Sequence, residues 1–129
     1  MMDYSKLSDQ EINMAVAAIV HPGSTVIESK SRPPCACITG QLPSYWVDYC
    51  NNPADAWLII VGNKISIRPH GRNKWYCHKN TGMTITQRSE TSNQMECQHE
   101  NPLRAAMIVF LKMQESANVP ANSTGPDIR

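Results

Sequence analysis

The sequence predicts an α+β domain in which a small, mainly antiparallel sheet is covered by three helices. Three segments carry the apolar spacing of amphipathic helices, and two of them open with Asn-Pro. Between them lie short runs in which apolar and polar residues alternate, the period of a half-buried strand. A chain of 129 residues suits one domain. We place that domain at residues 1–116 and predict a flexible C-terminal tail at residues 117–129, which are rich in Asn and Pro.

The composition is that of a globular protein, with 41% hydrophobic and 18% charged residues. The 12 Lys and Arg residues nearly balance the 11 Asp and Glu residues, and the net charge is +1. A protein that coats a nucleic-acid backbone usually carries a clear basic excess. The balance therefore disfavours non-specific nucleic-acid binding.

The chain also lacks the marks of a membrane or secreted protein. No stretch approaches the ~18 apolar residues that a bilayer span requires, and the N-terminus has no basic segment followed by an apolar run. Five cysteines, an odd number, indicate free thiols rather than a disulfide framework. We expect a cytoplasmic protein with no membrane partner.

The first helix is predicted to begin at a capping box formed by Ser8 and Glu11, whose side chains can satisfy each other's backbone N–H groups. It should end at His21-Pro22-Gly23, because proline cannot continue the hydrogen-bond ladder. Its predicted buried stripe is Ile12, Val16, Ile19 and Val20.

A strand is predicted at Thr25-Val26-Ile27, followed by irregular chain from Pro33 to Pro43. Alternation then predicts a strand from Tyr45 to Tyr49.

The second helix has the clearest start in the sequence. Asn52 can cap it, Pro53 suits the first helical position, and Asp55 places negative charge near the positive end of the helix dipole. We expect Trp57 to lie in the core, as most tryptophans in apolar helices do. Gly62-Asn63 is a predicted left-handed stop.

Two strands are predicted to follow as a hairpin. Ile65 and Ile67 alternate with polar residues in a strand ending at Pro69, and residues 70–73 form the turn. In the next strand Trp75 and Cys77 should share one face. Tyr76 and His78 should lie on the other face.

A further strand is predicted around Met83 and Ile85, followed by a polar loop from about Arg88 to His99. Asn101-Pro102 then starts the third helix, whose apolar stripe is Leu103, Ala106, Met107, Phe110 and Met113. The two Asn-Pro segments match at further positions. A shared capping solution explains that match better than a duplication.

The segment from Arg68 to Tyr76 is the main candidate binding site. Cationic groups can hold phosphates, and aromatic rings can stack on a nucleobase. The alternative is a solvated turn whose charges protect an edge strand, with Trp75 in the core. The residues predicted to contact a ligand here are Arg68, His70, Arg72, Lys74 and Trp75.

Three further residues are candidates at helix starts. An open N-terminus of the second helix, with Asn52 and Trp57, would form a corner that attracts anions. Arg104 lies in the first turn of the third helix, where the dipole favours acidic residues. This mismatch suggests that Arg104 faces a carboxylate, a phosphate or a partner.

Neither a metal site nor a catalytic centre is predicted. The segments Cys35-Ala36-Cys37, Cys77-His78 and Cys97-Gln98-His99 lack the Cys-x₂₋₄-Cys spacing of structural zinc sites. No serine elbow, phosphate-binding glycine loop or His-Glu-x-x-His pair occurs. We therefore expect a non-enzymatic protein with no cofactor and no metal.

Several segments together resemble the NinX family, accessory proteins of lambdoid phages whose function is uncharacterised. They cover all three predicted helices, and the Asn-Asn-Pro-Ala-Asp-Ala-Trp run is the most specific. The segments are 3–9, 11–13, 50–57, 59–61, 65–67 and 101–111. The chain is similar, more remotely, to small phage domains in which a sheet is sandwiched between helices. The resemblance implies a phage gene product made inside a bacterial cell, with a conditional role, and it brings no catalytic residues.

The leading hypothesis is a non-enzymatic phage accessory protein that binds a host-derived molecule. In its sharpest form it sequesters a small phosphorylated or nucleotide-type signal used in antiviral defence. The alternatives are an inhibitor or adaptor of a host protein and a small hydrolase acting on the same signals. Apolar helices around so short a sheet also favour a homo-oligomer.

Overall fold

The computed structural model describes the backbone of residues 3–40, 43–79 and 95–123, and the side chains of these residues up to residue 115. Within these described residues, a short 3₁₀ helix at Tyr4–Lys6 precedes three α-helices and six strands. The helices are α1 (Asp9–Val20), α2 (Pro53–Asn63) and α3 (Pro102–Ser123). The strands are β1 (Thr25–Glu28), β2 (Ala36–Thr39), β3 (Tyr45–Val47), β4 (Ile65–His70), β5 (Lys74–Lys79) and β6 (Glu96–His99).

The predicted α+β class is confirmed, but the described strands form two sheets where one was expected. The first sheet has the order β1-β2-β3 and the second β4-β5-β6, and all pairs are antiparallel. Helix α1 packs on the first sheet and α3 on the second. Because α3 also contacts α1 and α2, it joins the two halves into one core.

Two strands lie in segments that were predicted to be irregular. In β2 the alternate residues Ala36 and Ile38 are buried in the core. This strand has only four residues and lies between prolines and a glycine, so the sequence pattern indicated irregular chain there. Strand β6 occupies the end of the predicted polar loop, where the pairing of Cys97 with Cys77 supplies the inward position. The rest of that loop and the strand predicted at Met83 and Ile85 lie outside the described residues.

The helix starts follow the sequence prediction. Ser8 and Glu11 form the complete capping box of α1. The side chain of Asn52 accepts the N–H of Ala54, and that of Asn101 accepts the N–H of Leu103. Local capping therefore sets where all three helices begin.

Two predicted ends differ by a residue. Helix α2 ends at Asn63, but the left-handed residue is Lys64, with φ of 54°, and not the predicted Gly62-Asn63 pair. Strand β4 runs through Pro69 to His70; among the described strands it lies at the edge of its sheet, where proline is tolerated.

The centre of the fold is α3, whose residues from Arg104 to Leu111 are all buried. Its backbone stays helical to Ser123, past the predicted start of the tail, and the domain boundary itself remains a prediction. Within the described residues, no helix combines the length and apolarity of a membrane span.

Candidate functional site

The open face of the second sheet gathers most of the predicted cations. Strand pairing sets Arg68 opposite Tyr76 and His70 opposite Lys74, so these four side chains share one face. The opposite face packs against α3, where Cys77 is fully buried. We call the solvent-side group Arg68, His70, Lys74 and Tyr76 the basic–aromatic face.

The hairpin turn is built by glycine. Gly71 has φ of 70°, a backbone conformation that residues with a Cβ rarely adopt. The turn lets His70 and Lys74 pair, which continues the alternation on both strands to the tip. Arg72 lies in this turn and is exposed, next to the basic–aromatic face.

Tyr76 is the centre of the basic–aromatic face. The guanidinium carbon of Arg68 lies 4.7 Å from the centroid of the Tyr76 ring, a cation–π distance. The ring centroids of His70 and Tyr76 are 6.0 Å apart, and those of Tyr76 and His78 are 5.2 Å apart. Both ring pairs are tilted, at 39° and 32°. The result is a row of three tilted rings with cations at its edge.

Trp75 does not join that face. It pairs with Pro69 and His99 on the side that carries Cys77, as the alternation predicted, and it is 37% exposed. The hairpin therefore places the rings of Trp75 and Tyr76 on opposite faces of the sheet. Tyr76, which was not among the predicted ligand contacts, occupies the position that was expected for Trp75.

A row of polar residues extends the face toward the middle of the sheet. Strand register places Ser66, His78 and Glu96 side by side across β4, β5 and β6. Sequence reasoning missed this row because it treated β6 as loop. The four residues of β6 carry no such signal of their own, and the row becomes visible only in the register of the three strands, with Cys77 opposite both Ile67 and Cys97.

Arg104 faces a carboxylate, one of its three predicted partners. Its Nη1 lies 2.7 Å from Asp9 Oδ1, and its Nη2 donates to the carbonyls of Leu7 at 2.6 Å and Ser5 at 3.2 Å. Only 7% of the residue is exposed. The side chain joins α3 to the start of α1, and the structure does not bring it to the basic–aromatic face.

The predicted anion-attracting corner near Asn52 holds carboxylates of the protein itself. Asp55 accepts the N–H of Asp48 at 2.9 Å, and Asp48 accepts hydrogen bonds from Asn13 and Asn51. The N–H groups of Ala54 and Asp55, which an external anion would need, already donate to the side chain and the carbonyl of Asn52. Asn52 itself caps α2 and remains exposed.

The expectation that Trp57 lies in the core is wrong, since 60% of the residue is exposed. Helix α2 turns Ala56, Ile59 and Ile60 inward, and Trp57 lies on the opposite side of that stripe. The long apolar run made the two sides of this helix indistinguishable from the sequence.

The cysteines are placed as buried or partly buried thiols. Burial raises the pKa of the Cys50 and Cys77 thiols to about 12, which keeps them protonated and weakly nucleophilic at neutral pH. Among the described residues, no three His, Cys, Asp or Glu side chains group closely enough to hold a metal ion.

A second surface feature is a groove between helices, away from the basic–aromatic face. A groove of about 600 Å³ runs between α1 and α3, and none of the predicted ligand-binding residues lines it. Ile19, expected to be buried, is 37% exposed at this groove. The hydroxyl of Tyr4 donates to Glu115 at 3.2 Å across it. The lining residues are Tyr4, Leu7, Ala15, Ile19, Leu111, Gln114 and Glu115.

Comparison with protein families identifies the chain. The family model described as bacteriophage P22 NinX matches residues 3–114, which is most of the sequence. This chain belongs to the NinX family. None of the curated proteins compared with it matches.

The segments that carry the NinX resemblance mostly build the junction of the helix starts. Asn101 donates to the carbonyl of Cys50 at 2.6 Å, and Asn51 donates to both Asp9 and Asp48. Together with Arg104, these contacts connect the starts of all three helices. The resemblance therefore reports on the fold of this NinX protein, while the basic–aromatic face lies outside those segments.

Proposed function

We propose that this phage accessory protein binds a small phosphorylated, nucleotide-type molecule of the host on its basic–aromatic face. In its sharpest form the proposal is that the protein sequesters a nucleotide signal used in antiviral defence. The observation that carries it is the pairing of β4 with β5, which puts Arg68, His70, Lys74 and Tyr76 on one solvent-facing surface.

The chemistry of this face suits both parts of a nucleotide. Guanidinium and ammonium groups bind phosphate oxygens through charge-assisted hydrogen bonds. Aromatic and guanidinium planes accept a base by stacking, whatever its identity. The Arg68 guanidinium lies 4.7 Å from the centroid of the Tyr76 ring, so a group that can stack on a base and a group that can donate hydrogen bonds to a phosphate are already adjacent.

The charge balance favours a small ligand. With a net charge of +1, the chain lacks the broad positive field that long nucleic acids require. A local group of cations is sufficient for one or two phosphates. Arg72 in the adjacent turn extends this group, whereas Arg104 is already engaged by Asp9 and two carbonyls.

Isothermal titration calorimetry tests the proposal directly. The purified protein is titrated with cyclic dinucleotides, cyclic mononucleotides and ADP-ribose-type nucleotides, with inorganic phosphate as the reference. We expect heat from at least one nucleotide and an affinity that falls as salt is added. Uniform absence of heat would contradict the proposal.

Matched variants locate the binding surface. Arg68→Gln and Tyr76→Leu should each weaken binding by about tenfold or more, because a charged hydrogen bond or a stacked base contributes about 1–3 kcal/mol. Lys30→Gln removes one exposed cation beside the other sheet and should leave affinity unchanged. Equal loss in all three variants would show that net charge, and not this face, governs binding.

Ligand recovery separates sequestration from the other function classes. Heat release followed by mass spectrometry should return the nucleotide intact. A hydrolysed product would instead favour an enzyme, for which the row Ser66, His78 and Glu96 is the first group to test. A stoichiometric host protein recovered in a pull-down would favour the adaptor alternative.

A further inference from the structure

Strand β6 adds two polar side chains to the solvent side of the second sheet. Its register pairs Gln98 with Tyr76 and Glu96 with His78, and residues paired in this way project from the same face of a sheet. Gln98 is exposed and Glu96 is half-buried. The basic–aromatic face is therefore bordered along β6 by a carboxylate and an amide at alternate positions.

These two side chains are available to a ligand. Within the described residues, neither the Glu96 carboxylate nor the side-chain amide of Gln98 forms a hydrogen bond or an ion pair. Lys112 Nζ donates to the backbone carbonyl of Glu96 at 2.8 Å, which attaches β6 to α3 without using the carboxylate. A carboxylate in this position is an acceptor on a fixed strand, and it is stabilised by any N–H donors that approach it.

The charges of this surface give a bound nucleotide a direction. Lys74 lies at the hairpin tip, and His78, which is level with Glu96, lies four residues further along β5, about 14 Å at the rise of an antiparallel strand. Arg68 and Tyr76 lie between these two ends. A phosphate is attracted to the tip and repelled by Glu96, so the base is directed toward β6.

A base stacked on Arg68 and Tyr76 turns an edge toward β6. Gln98 is directly opposite Tyr76, and Glu96 is its diagonal neighbour, a separation that long side chains can span. The edge of the base therefore meets an anionic acceptor and a neutral amide next to each other.

Guanine is the base whose edge matches this pair. Its Watson–Crick edge carries two adjacent N–H donors, at N1 and N2, followed by the carbonyl oxygen O6. A carboxylate can accept both N–H groups side by side, and the amide of Gln98 can donate to O6. Adenine would instead direct the lone pair of its N1 toward the carboxylate, and cytosine and uracil each offer only one donor group on this edge.

We infer that the ligand of the basic–aromatic face is a guanine nucleotide, with its phosphate toward the hairpin tip and its base edge bound by Glu96 and Gln98. This inference rests on the proposed function and adds the identity of the base to it. Glu96 is then the main residue that determines base specificity.

Calorimetric titration of the full chain with guanosine, inosine and adenosine monophosphates at one salt concentration tests the inference. Guanosine monophosphate should bind about tenfold or more tightly than adenosine monophosphate, because a paired contact to a base edge discriminates by at least that factor. Inosine monophosphate keeps N1–H and O6 but lacks the 2-amino group, so its affinity should lie between the two.

Matched variants assign the preference to β6. Glu96→Gln keeps the size of the side chain and should lower the affinity for guanosine monophosphate to about that for adenosine monophosphate, without weakening the adenine nucleotide. Glu28→Gln removes the same charge from an exposed position of β1 in the other sheet and should keep the full preference. Gln98→Leu should weaken the guanine nucleotide more than the adenine nucleotide. Circular dichroism checks that each variant is folded.

The outcomes separate this inference from the proposed function. Equal affinities for the guanine and adenine nucleotides, or a Glu96→Gln variant that weakens both equally, would overturn the guanine assignment and leave nucleotide binding in place. Absence of heat from guanosine monophosphate while another nucleotide binds would do the same. Absence of heat from every nucleotide would overturn both proposals.

Discussion

Helices α2 and α3 begin in the same way and end up in opposite environments. Both open with a capping asparagine followed by proline. Leu58 and Met107 each follow that proline at the same spacing, yet Leu58 is 78% exposed and Met107 is fully buried. A shared local start therefore says nothing about which side of a helix will be covered.

The difference comes from what surrounds each helix. Helix α3 contacts the second sheet, α1 and α2, so its apolar residues are covered from several directions. Helix α2 contacts α3 and β4 and leaves its other side to solvent. Capping energies act within one turn, whereas burial depends on contacts between residues far apart in sequence.

The largest effect should come from truncating these equivalent positions. Met107→Ala should lower the free energy of unfolding by about 2–5 kcal/mol, because it leaves a cavity in the core. Leu58→Ala should change it by less than about 0.5 kcal/mol when measured by urea unfolding of the monomer. Similar losses at both positions would contradict the contrast between the helices.

The third helical position carries opposite charges in the two helices. Arg104→Met should cost about 2–4 kcal/mol, since Asp9 and two carbonyls lose their donor in a mostly buried site. Asp55→Ala should cost about 1 kcal/mol, because it removes one acceptor from the N–H of Asp48. Urea unfolding of both variants ranks them, and the reverse order would refute the assignment of Arg104 as a buried link.

The two capping asparagines should also differ. Asn52→Ala should cost about 1 kcal/mol, the usual loss of a cap. Asn101→Ala should cost about 1 kcal/mol more, because Asn101 also donates to the carbonyl of Cys50 at 2.6 Å. The midpoints of thermal unfolding of the two variants measure this difference in stability. Equal midpoints would show that the hydrogen bond from Asn101 to Cys50 does not add to the stability of the fold.

A further, pH-dependent effect is expected in alkaline solution, because a buried thiol lies near the start of each of these two helices. Burial raises the pKa of Cys50 and Cys77 from an ordinary value of 9.0 to about 12. The folded state thus keeps protons that the unfolded state has lost, and stability is fully present below pH 9 and falls as pH rises toward 12.

Replacing Cys50 and Cys77 with alanine should flatten this alkaline loss, measured by urea unfolding across the same pH range. The residual slope should come from groups such as Tyr49, whose pKa burial also raises. An unchanged slope in the double variant would contradict the thiol assignment.

Local signals made much of the fold predictable. Capping residues identified all three helix starts, and alternation placed Cys77 and Tyr76 on opposite faces of β5. Strand β6 was not predictable in this way, because its four residues acquire an inward and an outward side only through pairing with β5. The division into two sheets depends on the same long-range pairing.

The candidate site was predictable in part. Alternating residues and turn residues indicated a hairpin that carries Arg68, His70 and Lys74, but only the strand register shows that these three share a face, since His70 was expected in the turn. Arg104 and Trp57 could not be placed, because a buried ion pair with Asp9 and an exposed helix side both depend on how distant elements pack.

The measurement that tests the account most directly is an NMR amide map of the ¹⁵N-labelled protein, titrated with the nucleotide that gives the strongest calorimetric heat. The account predicts that saturable shifts cluster at Arg68, His70, Lys74 and Tyr76, while the buried amides of α3 stay in place. Shifts centred on α2, or scattered with no cluster on the second sheet, would contradict it.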